Sequence, residues 1–281
     1  MNIKSLINFD DYVYKFNIKD KQIKFKYEHS LRVMKIANKI AIKSKFNKVD
    51  CHICKIAGLL HDYGRFSQWK NYQTYSDINS IDHGDLGVKL LFDDNEIINF
   101  ETDKTLYDEI YDAIKYHNKA YIDDNLSDHN KRICRVIRDA DKLDIFYLFS
   151  IDKNLILECD DKITDEIKKQ FYNHEVISYK NVRNLNDKVL LYLAFVFDLN
   201  YAYSFKHLKK NKLIEKIYKD IEHKDIFKEY FDYIKKYIDE RNEIKWWIKN
   251  ITMKKLNVVN TIIGWKKDIL RAVIKIKNHF V

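Results

Sequence analysis

No proline occurs anywhere in the 281 residues of this chain, and only five residues are glycine. The two residues that most often mark turns and interrupt helices are therefore nearly missing, and hairpin-rich architectures lose their usual signposts. Apolar residues make up 46% of the chain, ordinary for a globular protein and enough at this length for a substantial core. The expected fold class is all-α.

Apolar periodicity supports that reading. From Lys21 to about Ser44, Phe25, Val33, Ile36 and Ile40 recur at helical spacing with His29 on the same face. A second helix is predicted to open at Asp50 as its N-cap, run through Ile53, Ile56, Ala57, Leu59 and Leu60 to His61-Asp62, and close near Gly64. Arg65 to Ser80 is polar and aromatic without a clear period, which predicts an ordered loop. Further helices are predicted at Asp82 to Phe92, Thr105 to His117, Asn130 to Phe149, Asp187 to Lys209 and Asp225 to Trp247, with an Asp/Asn-rich connector from Asp123 to Asp128. No strand pattern, internal repeat or low-complexity tract stands out.

The longest apolar run, Val189 to Phe197, stops at Asp198 and is far short of the roughly 20 residues that cross a bilayer. The N-terminal segment lacks the length and cleavage site of a signal peptide, so a cytoplasmic location is expected. Four cysteines then default to reduced thiols. Cys51-His-Ile-Cys54 is half of a zinc spacing with no second half, and its thiols are expected to lie along a helix. The net charge of +9 is concentrated in residues 249–281, which hold eight Lys or Arg and one acid. This divides the chain into a nearly neutral domain over 1–248 and a basic helical extension over 249–281. The extension suits a packing arm for another subunit in a homo-oligomer, a nucleic-acid contact or an anionic membrane surface.

Composition alone yields about 1.5 instances of His followed directly by an acid; two occur, His61-Asp62 and His174-Glu175. The first stands out by its context, ending an apolar helix as Ala57-Gly-Leu-Leu-His-Asp-Tyr-Gly-Arg65, with other potential ligands on separate predicted helices. From Tyr27 to Ile145 the order of these residues, His, His-Asp, His, His, Asp, resembles the HD-domain metal-dependent phosphohydrolase superfamily. The resemblance implies a compact HD-domain helical bundle and a ligand set of His29, in Tyr27-Glu-His-Ser-Leu-Arg-Val33, His61 and Asp62. It adds Asp141 from Arg138-Asp-Ala-Asp-Lys-Leu-Asp144, in preference to Asp139 or Asp144. His83 and His117 match the two further histidines of dinuclear members, which implies two divalent metal ions, drawn from Mn, Fe, Co, Ni or Zn. The remaining histidines, His52, His129, His174, His207, His223 and His279, read as solvated or structural.

Imidazoles and carboxylates suit such cations, and only a carboxylate readily bridges two of them, which assigns the bridge to Asp62. The implied activity is hydrolysis of a phosphomonoester or phosphodiester, most simply in a nucleotide, by metal-activated water. Arg65, where several relatives carry a lysine, is a candidate phosphate clamp; Gln68 and Lys142 are further candidates for substrate contact. Asn118 and Lys119 replace the histidine and glutamate of the cyclic-dinucleotide branch, which speaks against that substrate. The rival readings are a nuclease for single-stranded nucleic acid, a di-iron oxygenase, and a non-catalytic module that senses a nucleotide.

Overall fold

A computed structural model describes residues 3–151, 162–222 and 224–241. The chain divides into two units, Met1–Lys235 and Lys236–Val281. In the second, the described residues 236–241 are helical, and the basic segment 249–281 and the expected boundary at 248 lie outside the described residues. Among the described residues there is no strand, and no helix is long and apolar enough to cross a membrane.

The first unit is built from α1 (Ile3–Tyr14), α2 (Lys21–Lys43), α3 (Lys48–Leu60), α4 (Tyr63–Tyr72), α5 (His83–Val88), α6 (Tyr107–Tyr116) and α7 (Asp128–Phe149). It continues with α8 (Asp165–Tyr172), α9 (Leu185–Ala194), α10 (Ala202–Lys210) and α11 (Leu213–Asp220), followed by a helical stretch that starts at 224. At its centre α2 packs on α3 and α7, α7 packs on α6 and α3, and α5 packs on α4 and α6. The buried stripe of α2 is Ile23, His29, Ser30, Val33, Met34, Ala37, Ile40 and Ala41. It is turned from the predicted one, since Phe25 lies exposed and the small residues Ser30, Ala37 and Ala41 face inward. Small side chains there let α3 approach closely: a Cβ added at Gly58 would sit 3.1 Å from both the Ala37 Cβ and the Met34 Cα. The thiols of Cys51 and Cys54 lie along α3, as the spacing predicts.

Three differences from the sequence reading have identifiable causes. Helix α3 opens one turn earlier than predicted, because the Asn47 side chain accepts from the Asp50 N–H at 2.8 Å and so provides the cap. The predicted loop from Arg65 is helical as far as Tyr72. Its inward residues, Tyr63 and Phe66, are aromatic, and they pack against Phe9 and Tyr12 of α1, a partner that local periodicity does not show. The predicted helix from Asp187 to Lys209 is broken at Leu199–Tyr201. There the buried Asp139 carboxylate on α7 accepts from the Asn200 and Tyr201 N–H groups, the Asn200 amide and the Ser204 hydroxyl, at 2.6 to 3.1 Å. A side chain distant in sequence thus caps α10 and pins it to α7.

Gly64, in the first turn of α4, is where α4 meets α5. A Cβ at that position would lie 2.5 Å from the His83 carbonyl oxygen and 2.8 Å from the Gly87 nitrogen, both backbone atoms that cannot swing aside. Gly64→Ala gains up to about 1 kcal/mol of helix propensity and is expected to lose roughly 3 kcal/mol to overpacking. Urea unfolding should therefore report a net loss of stability; a gain would show that α4 and α5 do not press on each other here.

Candidate metal centre

The junction between α3 and α4 places two functional groups back to back. His61 follows the last residue of α3 and Asp62 precedes the first of α4, and both are buried. His117 follows α6 in the same way, His83 opens α5, His29 lies within α2 and Asp141 within α7. The six residues come from five parts of the chain and converge on one another.

The contacts sort into two halves around Asp62. Its Oδ2 lies 3.4 Å from His29 Nε2 and 3.5 Å from His61 Nε2. Those nitrogens are 3.1 Å from each other, and Asp141 Oδ1 is 3.1 Å from the first and 3.7 Å from the second. The other oxygen, Oδ1, lies 3.4 Å from His83 Nε2 and 3.8 Å from His117 Nε2, which are 2.9 Å apart. One carboxylate therefore presents one oxygen to each pair of imidazoles.

What decides the chemistry is the far side of each ring. His61 Nδ1 donates to the Gly58 carbonyl at 3.0 Å and His117 Nδ1 to the Ile114 carbonyl at 2.6 Å, each reaching back three residues into its own helix end. His29 Nδ1 donates to Asp144 Oδ2 at 2.7 Å and His83 Nδ1 to Asp77 Oδ2 at 2.6 Å. With four Nδ1 protons so committed, each ring turns its Nε2 toward its neighbours and toward carboxylate oxygens. Such a gathering of imidazole nitrogens and carboxylate oxygens suits a cation among them, a proton or a metal ion. The two groups His29, His61, Asp62 and Asp62, His83, His117 have the spacing to hold metal ions, with the outer partners that fix ligand orientation at such sites.

The electrostatics agree. Burial alone would raise the Asp62 carboxyl, but the Lys26 ammonium and the surrounding histidines hold it well below the usual carboxylate range. Asp141, likewise raised by burial, is held far down by hydrogen bonds with His29 and His61. Burial pushes His61 down, and burial with the nearby Arg65 charge pushes His83 down to about 3, which leaves both rings as neutral donors. His29 is displaced upward: its contacts with Asp141, Asp144 and Asp62 outweigh burial and Lys26, so a proton competes there with any cation.

Arg65 borders the second half. Its Nη1 donates to Gln68 Oε1, the Tyr75 carbonyl and Asp77 Oδ1 at 2.6 to 2.7 Å, while its buried Nε, without a hydrogen-bond partner, lies 3.6 Å from Asp62 Oδ1. Gln68 sits one layer back and fully buried, where its amide donates to Asp77, Ser80 and the Ile81 carbonyl and fixes the segment that orients His83. Lys142 is turned elsewhere: its ammonium pairs with Asp198 at 2.8 Å, beside Arg138.

Four residues at the centre carry no site assignment in the sequence reading. Lys26 lies one turn before His29 and puts its Nζ 2.6 Å from Asp62 Oδ2. Asp144 backs His29 and is itself gripped by Arg32 at 2.7 and 3.0 Å, and Asp77 joins Arg65 to His83. Spacing on one helical face signals Lys26 and Asp144 once His29 and Asp141 are fixed; nothing local signals Asp77.

Residues 27–145 match the family model described as the HD domain, a span from within α2 to within α7 that contains all six converging residues. No curated protein and no solved structure gives a significant match to the chain.

The two aspartates that flank Asp141 separate orientation from folding. Asp144→Asn should weaken divalent metal binding by about 10- to 100-fold, read by calorimetric titration with Mn, since an amide cannot hold the His29 Nδ1–H as a carboxylate does. Asp139→Asn should leave that affinity unchanged and lower unfolding stability by roughly 1–3 kcal/mol. Equal effects of the two substitutions on metal affinity would remove the distinction.

Proposed function

We propose, from the HD domain that this chain carries over residues 27–145, that it hydrolyses a phosphomonoester or phosphodiester, with a nucleotide as the substrate class, using two divalent metal ions. The observation that supports this most directly is the Asp62 carboxylate set between two pairs of imidazoles whose outer nitrogens are all occupied as donors. His29, His61, Asp141 and Asp62 Oδ2 would hold one ion, and His83, His117 and Asp62 Oδ1 the other. Two such ions supply an acidified water as nucleophile and neutralise phosphate oxygens.

The chain's own groups then divide the remaining work. Asp62 fixes the spacing between the halves, and its depressed pKa keeps it ionised across the working range. Arg65 has one edge tied down by three acceptors and its Nε turned toward the centre, which suits it to hold a phosphate oxygen without moving. Asp77 receives both the Arg65 guanidinium and the His83 ring, so the clamp and a ligand are set by one carboxylate. No serine or cysteine nucleophile is called for, and the thiols of Cys54 and Cys134 are buried and pushed upward by desolvation.

Purified protein loaded with Mn should hydrolyse members of a panel of nucleotides and a generic aryl phosphodiester. Asp62→Ala should reduce turnover to background, and chelation should abolish it until metal is restored. Stoichiometric metal binding without turnover of any panel member would move the assignment to a nucleotide-sensing module. Oxygen-dependent turnover in the iron form would move it to an oxygenase.

A further inference from the structure

Counted by donors alone, the two halves of the centre are unequal. The His29 half has two imidazoles and two carboxylates; the His83 half has two imidazoles and one carboxylate shared with the first. The first should therefore hold a divalent ion much more tightly. A third feature opposes this. The Lys26 ammonium lies 2.6 Å from Asp62 Oδ2, the same oxygen that serves the His29 half, whereas Arg65 Nε stands 3.6 Å from Oδ1. Lys26 is mostly buried, reached from α2 one turn before His29 and placed 5.4 Å from the Tyr75 ring centroid, so solvent screens its charge poorly. A carboxylate oxygen already accepting a charge-assisted hydrogen bond has less electron density to give a metal, and the ammonium repels an incoming cation.

We propose that Lys26 is a positioning residue that selectively weakens the His29–His61–Asp141 half of the centre for a divalent ion, which brings the two halves closer in affinity and leaves the first ion more exchangeable. The inference rests on the metal-dependent reading and goes beyond it, because it assigns unequal tuning of the two halves to a side chain that is not itself a ligand. Methionine has an unbranched side chain of similar length, so it keeps much of the Lys26 shape while removing the charge.

Calorimetric Mn titration of the full chain tests this without any assay of turnover. In Lys26→Met and in Lys26→Gln, one of the two binding steps should tighten by about tenfold or more while the other stays put, and Lys26→Arg should behave as the native chain. Adding His83→Ala to each leaves only the His29 half, where the tightening should persist. Unchanged affinity in both neutral variants would overturn the proposal. Weaker binding in both would also overturn it, since the ammonium would then serve to hold Asp62 in place for the ion. A native chain that binds no metal would remove the metal reading itself, an outcome distinct from either.

Discussion

The structure turns on the Asp62 carboxylate, a buried anion at the joint between two helices with a pair of imidazoles against each oxygen. A carboxylate without water is costly unless charge or hydrogen bonds replace what hydration gave. Here the replacement comes from α2, α5 and α6 as well as from its own α3–α4 joint, so the helices must meet at this point for the anion to be tolerated at all. The core therefore does more than exclude water: the way α2, α3, α6 and α7 pack is also the way the candidate ligands are brought into register. The tight seat of Gly64 on α5 serves the same end, since it brings the His83 backbone against the helix that starts beside Asp62.

Two different devices hold the rings. At the ends of α3 and α6 the last carbonyls have no partner within the helix, and His61 and His117 use that surplus by returning their Nδ1 protons to Gly58 and Ile114. No further residue is needed. Within α2 and at the start of α5 free carbonyls are not at hand, and carboxylates take over: Asp144 behind His29, itself fixed by Arg32, and Asp77 behind His83, itself fixed by Arg65 and Gln68. The rings at helix ends are set by backbone, and the others by ion pairs, which can be perturbed by single substitutions.

This division explains what the sequence reveals. The convergence of His29, His61, Asp62, His83, His117 and Asp141 is legible because their residue types follow one another in an order that resembles a known family and fall on separate predicted helices. The partners are less so. Asp77 lies in a segment without period, and its role exists only through the approach of α5 to α4. The helicity of 65–72 was hidden because its inward residues are stabilised by α1 rather than by a local apolar stripe, and the break at 199–201 because its cap, Asp139, is sixty-one residues away at Asn200. The three aspartates of Arg138–Asp144 show the rule compactly. On a helix of about 3.6 residues per turn, Asp141 and Asp144 fall near one face and Asp139 nearly opposite, so one reaches the imidazoles, one supports them and one caps α10.

The charges at the centre form two layers with different balances. In the outer layer Arg32 meets Asp144 and Arg65 meets Asp77, cation for anion. In the inner layer Asp62 has the Lys26 ammonium at 2.6 Å and the Arg65 Nε at 3.6 Å, and it shares the facing imidazoles with Asp141. Because Arg65 is shared with Asp77, the inner layer keeps a deficit of positive charge that would favour cations in this largely buried site. Two divalent ions would overshoot it and leave the inner layer strongly positive, a state that only an anion from outside can balance. With burial keeping the dielectric response low, that excess would be felt most by a ligand carrying two or more negative charges on closely spaced oxygens. A phosphate group is such a ligand, so the same imbalance that would favour metal would also favour a phosphate ester once metal is held.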